Sequence, residues 1–433
     1  MRKMKDSGIE WIGEIPESWE VHRVKNHFSI ISGSGFKTDY QGDESGDFPV
    51  CKASDISNAG HKLYGSANYI SQEVQRKEGF SVIPAGSILF AKIGEAMRKN
   101  NRTLTMVDAC ADNNCQAMVP QNMHSEYAYY LFSCIDMQWF DNAGTIPCIN
   151  NTKLLDFKMA YPSMEEQLRI ADYLDQKCAE IDAIISAKEK TNELLKERRQ
   201  SIIYEAVTKG LEPTVPMKDS GIEWIGEIPE KFQLIRLKYL CEIFGRIGFR
   251  GYTQADLVAE GEGPITLSPS NISENGMDYS KCTYLTWDKY YESPEIQIEN
   301  NDILLVKTGS SYGKSTIVEN LPMEATINPQ FVVMKNIKCH PKFLHYIMQT
   351  KIIKYQVEQV VVGGTIPTMA QEKINNFHIV LPSEDEICNI VNYLDGKCAE
   401  CDTLISGNEA TIQKLKEYRQ SVIYEAVTGK VEI

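Results

Sequence analysis

The sequence predicts a mixed α/β protein: two globular α+β domains joined by two long helices that form an antiparallel coiled coil, the whole related by a pseudo-two-fold internal repeat. Three observations carry this reading. The fourteen residues MKDSGIEWIGEIPE at Met4–Glu17 recur unchanged at Met217–Glu230. Two later blocks, YLDQKCAEIDAIIS at Tyr173 and RRQSIIYEAVT ending at Thr208, return as YLDGKCAECDTLIS at Tyr393 and YRQSVIYEAVT ending at Thr428. Between these frames the two halves diverge, and their offset grows from 213 positions to 220, so the second copy holds seven extra residues. A frame used twice around different inserts suggests two similar sites that read different things.

The elements follow in chain order: a first domain over 1–162, a long helix over 163–210, a linker and second domain over 211–382, and a second long helix over 383–433. Inside the inserts, β-branched runs such as FSVIPAGSILFAKIG and DILLVKTG alternate with turns, while EYAYYLFSCIDMQWF and PKFLHYIMQTKIIKYQV carry helical periodicity. Each long helix opens on a capping-box pattern, Ser163 with Glu166 and Ser383 with Glu386, and closes at Gly210 or Gly429. About 45 residues at 1.5 Å each give roughly 67 Å. Leu174, Ile181, Lys188, Leu195 and Ile202 fall seven apart, as do Leu394, Cys401, Asn408, Leu415 and Val422. Lys188 and Asn408 are the polar exceptions and read as register markers near the middle of each helix. An insert of about 170 residues is only about 40 Å across, so parallel helices would force its ends about 67 Å apart. Antiparallel packing brings the ends together.

Composition narrows the function classes. No window of eighteen apolar residues occurs and MRKMKDSGIEWIGE lacks the apolar run of a signal peptide, which predicts a cytoplasmic chain without a membrane partner. The 12 cysteines lie in apolar or helical contexts, and Cys398-x-x-Cys401 has Ile181 opposite its second member in the other copy, so packing is the reading and no metal site is expected. A net charge of -14 excludes a protein that grips nucleic acid over its whole surface. Any DNA contact must be local.

No catalytic motif survives scrutiny. TGSSYGKST resembles a phosphate-binding loop but has Thr308 where the first glycine belongs. NPQF at Asn328–Phe331 resembles an amino-methyltransferase loop with Gln330 in place of the second proline, and the first copy reads Asn114, Cys115, Gln116, Ala117. The paired Asn and Gln, Asn114 with Gln116 and Asn328 with Gln330, could read adenine edges or cap a strand, and the structural role is favoured. The seven histidines have no ligand spacing. Basic residues in the inserts remain as DNA-contact candidates: Lys92, Arg98, Lys99 and Arg102 in the first, and Arg246, Arg250, Lys307 and Lys314 with Ser310 and Tyr312 in the second. Lys92 and Lys307 follow matching strands. Trp11 and Trp224, shared by both copies, read as an anchor or docking element rather than a reading surface.

The order WIGEIPESWE, variable insert, GTIP, YPSMEEQLRIADYLD and a long helix ending RRQSIIYEAVTKG, followed by the same order again, resembles the specificity subunit of type I restriction-modification enzymes. The resemblance spans nearly the whole chain. The second copy departs from it at IPEKFQ and at PSEDEICNIVNYLD, where the glutamine of Gln167 does not recur. The resemblance implies a non-catalytic subunit whose two target-recognition domains each read one half of a split double-stranded DNA site, with the helices as spacer. It also implies docking of two methyltransferase subunits and, in the larger complex, motor-nuclease subunits. No cofactor is then expected in this chain, since S-adenosylmethionine, ATP and magnesium would belong to the partners. Alternatives of other kinds are a scaffold or decoy that does not read DNA, and the recognition subunit of a related enzyme that cuts on both sides of its site.

Overall fold

The computed structural model describes residues 2–142, 144–246, 248–273, 276–362 and 367–433. Contacts divide the chain into two compact units, Met1–Glu189 with Glu409–Ile433, and Lys190–Asn408. Both long helices are cut by this division.

In the first unit the repeated fourteen residues close a small antiparallel hairpin, Met4–Asp6 against Glu14–Pro16, with Gly13 at φ +70° donating to Ile9 O at 2.8 Å. Behind it Ile15 and Trp19 are fully buried. Glu20–Arg23 then pairs with Lys158–Tyr161, so the residues before and after the insert lie side by side and the insert leaves and returns at one place. The insert itself forms a five-stranded sheet in the order Phe28–Ser32, Cys115–Pro120, Ile88–Ala91, Arg102–Thr105, Lys62–Leu63, and a smaller three-stranded sheet of Cys110–Ala111, Phe48–Cys51 and Tyr69–Ile70.

The second unit repeats the frame. Met217–Asp219 pairs with Glu227–Pro229, and Gln233–Arg236 with His378–Leu381. Its insert makes a four-stranded sheet in the order Glu242–Gly245, Phe331–Lys335, Ile303–Val306, Ser315–Ile317. A second sheet of five strands, Leu257–Val258, Thr283–Leu285, Ile265–Leu267, Ala325–Ile327 and Gln297–Ile298, enlarges the smaller sheet of the first unit: Ile265–Leu267 pairs parallel with Ala325–Ile327 and antiparallel with Thr283–Leu285, as Phe48–Cys51 does with Cys110–Ala111 and Tyr69–Ile70. The frames agree and the inserts differ, as the sequence offset requires.

The long helices span Met164–Lys209 and Glu384–Val427. Within the second unit Asn408 donates to Asn192 Oδ1 at 2.8 Å and Arg199 pairs with Asp402 at 3.2 Å, so one helix ascends as the other descends. The first unit repeats this with Asp182 and Arg419 at 3.0 Å, beside an apolar cluster of Ile181, Ile185 and Ile412. Buried side chains recur at Leu174, Cys178, Ile181 and Ile185 and at Leu394, Cys398, Cys401 and Ile405, alternating four and three apart. Of the two polar exceptions, Lys188 is half-buried, while Asn408 finds Asn192, a residue the sevenfold count passed over.

Helix ends refine the sequence reading. Ser163 Oγ accepts from Glu166 N at 3.4 Å, but Glu166 pairs with Arg2 instead of returning to the cap. Gln167 ties the first turn down, accepting from His124 N at 3.0 Å and donating to Pro162 O at 3.1 Å. At the other end of the second helix Gly429, at φ +72°, is required twice over, because an added Cβ would lie 2.4 Å from Pro16 Cδ.

Candidate nucleic-acid interface

In each unit the strand that carries the candidate lysine runs through the middle of its sheet. Ile88–Ala91 and Ile303–Val306 are wholly buried, and each ends where a lysine begins a loop. The backbone then repeats itself: Lys92 N donates to Asn114 O at 2.8 Å and Lys307 N to Gln330 O at 2.7 Å, while Lys92 O accepts from Ile149 N at 3.0 Å and Lys307 O from Met369 N at 2.9 Å. Two residues on, Gly94 N donates to Pro147 O at 2.8 Å and Gly309 N to Pro367 O at 3.0 Å. Both glycines have positive φ, +74° and +102°. Pro147 and Pro367 close the repeated GTIP, so this motif is a clip that holds the lysine loop; its residues Gly364, Thr365 and Ile366 lie outside the described residues.

Around this common clip the loops differ. In the first unit Gly94–Arg98 forms a short helix in which Arg98 pairs with Glu95 at 2.8 Å and Lys99 is exposed. In the second unit Gly313, at φ +83°, lets the chain turn sharply, leaving Ser310 and Lys314 exposed. Thr308 Oγ1 meets Thr368 Oγ1 at 2.8 Å, and Lys307 lies over Gly245, where an added Cβ would approach Nζ at 3.2 Å. Burial draws the Lys307 ammonium below its ordinary range. Ser310, Tyr312 and Lys314 also line a cleft of about 1180 Å³ with Arg199 and Lys342. Lys342 pairs there with Asp395 at 2.9 Å and Arg199 with Asp402, so the cleft is of mixed charge and lacks the glycine a phosphate-binding loop needs.

Three of the sequence candidates belong elsewhere. Arg102 is buried and donates to Phe132 O, to Ile135 O at 2.9 Å and to Asn100 Oδ1 at 2.6 Å, and burial pushes it down to about 10. It closes the end of the helix Ser125–Ser133 rather than facing DNA. Arg246 is likewise buried, donating to Ile327 O at 3.0 Å and Thr326 Oγ1 at 3.1 Å beside Tyr252. Arg250 pairs with Glu295 at 3.3 Å. Arg102→Met is therefore expected to cost about 1–3 kcal/mol for each carbonyl left unsatisfied while leaving the salt dependence of DNA binding unchanged. Urea unfolding and a salt titration check the two halves of that statement.

The paired Asn and Gln also fall out of step. Cys115 lies opposite Ala91 and Phe331 opposite Val306, so Asn114 corresponds to Gln330 and Asp112 to Asn328. The chemistry confirms the shift: Asp112 Oδ1 accepts from Asn114 N and Asn328 Oδ1 from Gln330 N, both at 3.0 Å. These are matching turns. Gln116 is buried against Asn151 at 3.0 Å.

Trp11 stacks on Phe157 at 5.8 Å, tilts against Trp139 at 5.8 Å, and accepts at its carbonyl from Tyr424 of the second long helix at 2.7 Å. Trp224 stacks on Tyr355 at 5.1 Å, with His378 at 6.3 Å. Sequence spacing signalled none of one further grouping, in which His61, Glu126 and Asp175 converge within 4.8 Å. Lys62 already occupies it, pairing with Glu126 at 2.8 Å and Asp175 at 3.5 Å.

Residues 16–196 match the family described as the type I restriction modification DNA specificity domain. Over 442 residues, 98% of this chain and 95% of the relative, the sequence is 23% identical to the type I restriction enzyme MjaIX specificity subunit of Methanocaldococcus jannaschii. Over 446 residues, 99% and 90%, it is 20% identical to the type I restriction enzyme EcoBI specificity subunit of Escherichia coli. A chain solved in work on complex assembly and conformational transition of the type I R-M system superposes with a TM-score of 0.67 at 14% identity, covering 96% of this chain and 99% of that one. The last likeness is one of fold.

Proposed function

We propose that this chain, which belongs to the specificity subunits of type I restriction-modification systems, reads a split asymmetric DNA site, one half with each unit. The observation that carries this reading is the repeated clip. The same backbone bonds fix Lys92 and Lys307 at the same point of two sheets while the loops beside them differ in length and chemistry. One docking geometry with two different edges suits two different half-sites on one regular duplex.

The frame is the surface on which methyltransferase subunits dock, two of them because the frame is present twice. The antiparallel helices are the spacer, and at roughly 69 Å for 46 residues they limit the half-site separation to about 20 base pairs. S-adenosylmethionine, ATP and magnesium belong to the methyltransferase and motor-nuclease partners. Trp11 and Trp224 hold each domain to its helix end and set the docking angle.

The test places the first insert in both positions, with residues 24–157 replacing 237–377. Expressed with its methyltransferase partner, this chain is expected to methylate an inverted repeat of one natural half-site. A complex that copurifies with the methyltransferase but retains no specific DNA at moderate salt would sink the reading.

A further inference from the structure

We infer that Lys92 and Lys307 are one phosphate contact made twice, a sequence-independent clamp on the backbone of each half-site. This rests on the DNA-reading function proposed above and assigns its shared part.

Both lysines are half-buried, and among the described residues neither ammonium has an ion pair or hydrogen bond. That is unusual company in this protein. Lys62 meets Glu126, Lys335 meets Asp302 at 3.5 Å, and Lys289 meets Glu292 at 2.5 Å. A half-buried cation without a counter-charge gives up part of its hydration unrepaid, so a position that keeps a lysine in both copies is prepared for an anion from outside. The lowered affinity of Lys307 for its proton points the same way, since an arriving anion would restore it.

Repetition decides which anion. Two half-sites of different sequence differ in the base edges they present, but every half-site presents phosphates at the same spacing. A residue fixed in both units by identical bonds, from Lys92 N and O and from Lys307 N and O, is suited to what the half-sites share. Residues that differ beside it, Glu95 and Arg98 on one side where Ser310 and Gly313 stand on the other, are suited to what they do not share. The lysine positions the duplex, and the loop next to it reads.

The complex with its methyltransferase partner, on a duplex carrying the methylated motif and on an unrelated duplex, provides the test. Lys92→Met and Lys307→Met keep the apolar stem and remove the charge. Each is expected to lower the slope of log affinity against log salt by about 0.9, and the double variant by about 1.8. Affinity should fall by one common factor on both duplexes, the methylated motif should stay the same, and Lys→Arg should restore the slope. An unchanged slope in a complex that still assembles would overturn the inference, as would a motif altered at one half-site, which would make the lysine a base reader. If the methionine variants fail to assemble, Lys→Arg and Lys→Gln carry the same comparison, and a Gln variant with full slope is then the refuting result. A wild-type complex that shows no preference for the motif would count instead against the DNA-reading function itself.

Discussion

Trp19→Ala is expected to destabilise the first unit by about 3–5 kcal/mol, the cost of a large side chain removed from a core that cannot collapse around the hole. Trp19 is fully buried beside Ile15, and the turn at Gly429 presses on its ring so closely that an added Cβ would lie 3.2 Å from it. The site therefore joins the repeated hairpin to the end of the second long helix. Phe232 holds the equivalent place in the second copy, also fully buried, against the turn at Gly210. The exchange of Trp for Phe between copies is informative, because Trp19 Nε1 is buried with no acceptor. Trp19→Phe consequently loses volume but no hydrogen bond, and should cost less than about 1.5 kcal/mol. Urea unfolding separates these cases; equal losses for the Ala and Phe variants would mean that the cavity is not what matters. Trp11→Ala and Trp224→Ala, at half-buried sites, should cost less stability than Trp19→Ala and weaken methyltransferase docking more than they change the half-sites.

The frame was legible because it is spelled twice. Identical letters at two offsets marked the stretches that prove to be the hairpin, the helix ends and the GTIP clip without any knowledge of packing, and apolar residues seven apart marked the long helices. What the sequence hid was register and burial. Asn114 and Asn328 match as letters, yet strand pairing shifts them by two positions, because the partner is set by which residue lies opposite Ala91 or Val306 and not by counting along the chain. Arg102 and Arg246 looked like surface charge for a related reason. Their acceptors, the carbonyls of Phe132 and Ile135 and of Ile327, are far away in sequence, and only the folded sheet brings them within reach. Arg102 opens the strand Arg102–Thr105, whose four residues are all buried, and nothing in Arg-Thr-Leu-Thr as letters tells that burial from a half-exposed strand. Trp19 was passed over in favour of Trp11 because its counterpart is Phe232, and attention to identical letters discounts a position where only size and apolarity are kept.

Lengthening both helices is the change expected to alter DNA recognition most without touching a reading loop. Asn192 and Asn408 lie opposite each other, so four residues placed between Thr191 and Asn192 and four between Asn408 and Glu409 lengthen the helices at one level. The added rise is about 6 Å, equal to one or two base pairs at 3.4 Å each. Four residues turn the helix by about 400°, so the apolar stripe overshoots its face by only about 40°, which a local change in supercoil absorbs. Two residues turn it by about 200° and put Ile203 and Ala206 on the opposite face from Leu174 and Ile181, breaking the stripe both copies share. The shorter insertion should therefore be the more damaging one. With the helices acting as the proposed spacer, sequencing of methylated bases in cells carrying the four-residue variant should return the two natural half-sites separated by one or two additional base pairs, and the two-residue variant should return no methylation. An unchanged separation with altered half-sites would show that the helices do not set the spacing, and would leave the clip loops to explain the whole of the specificity.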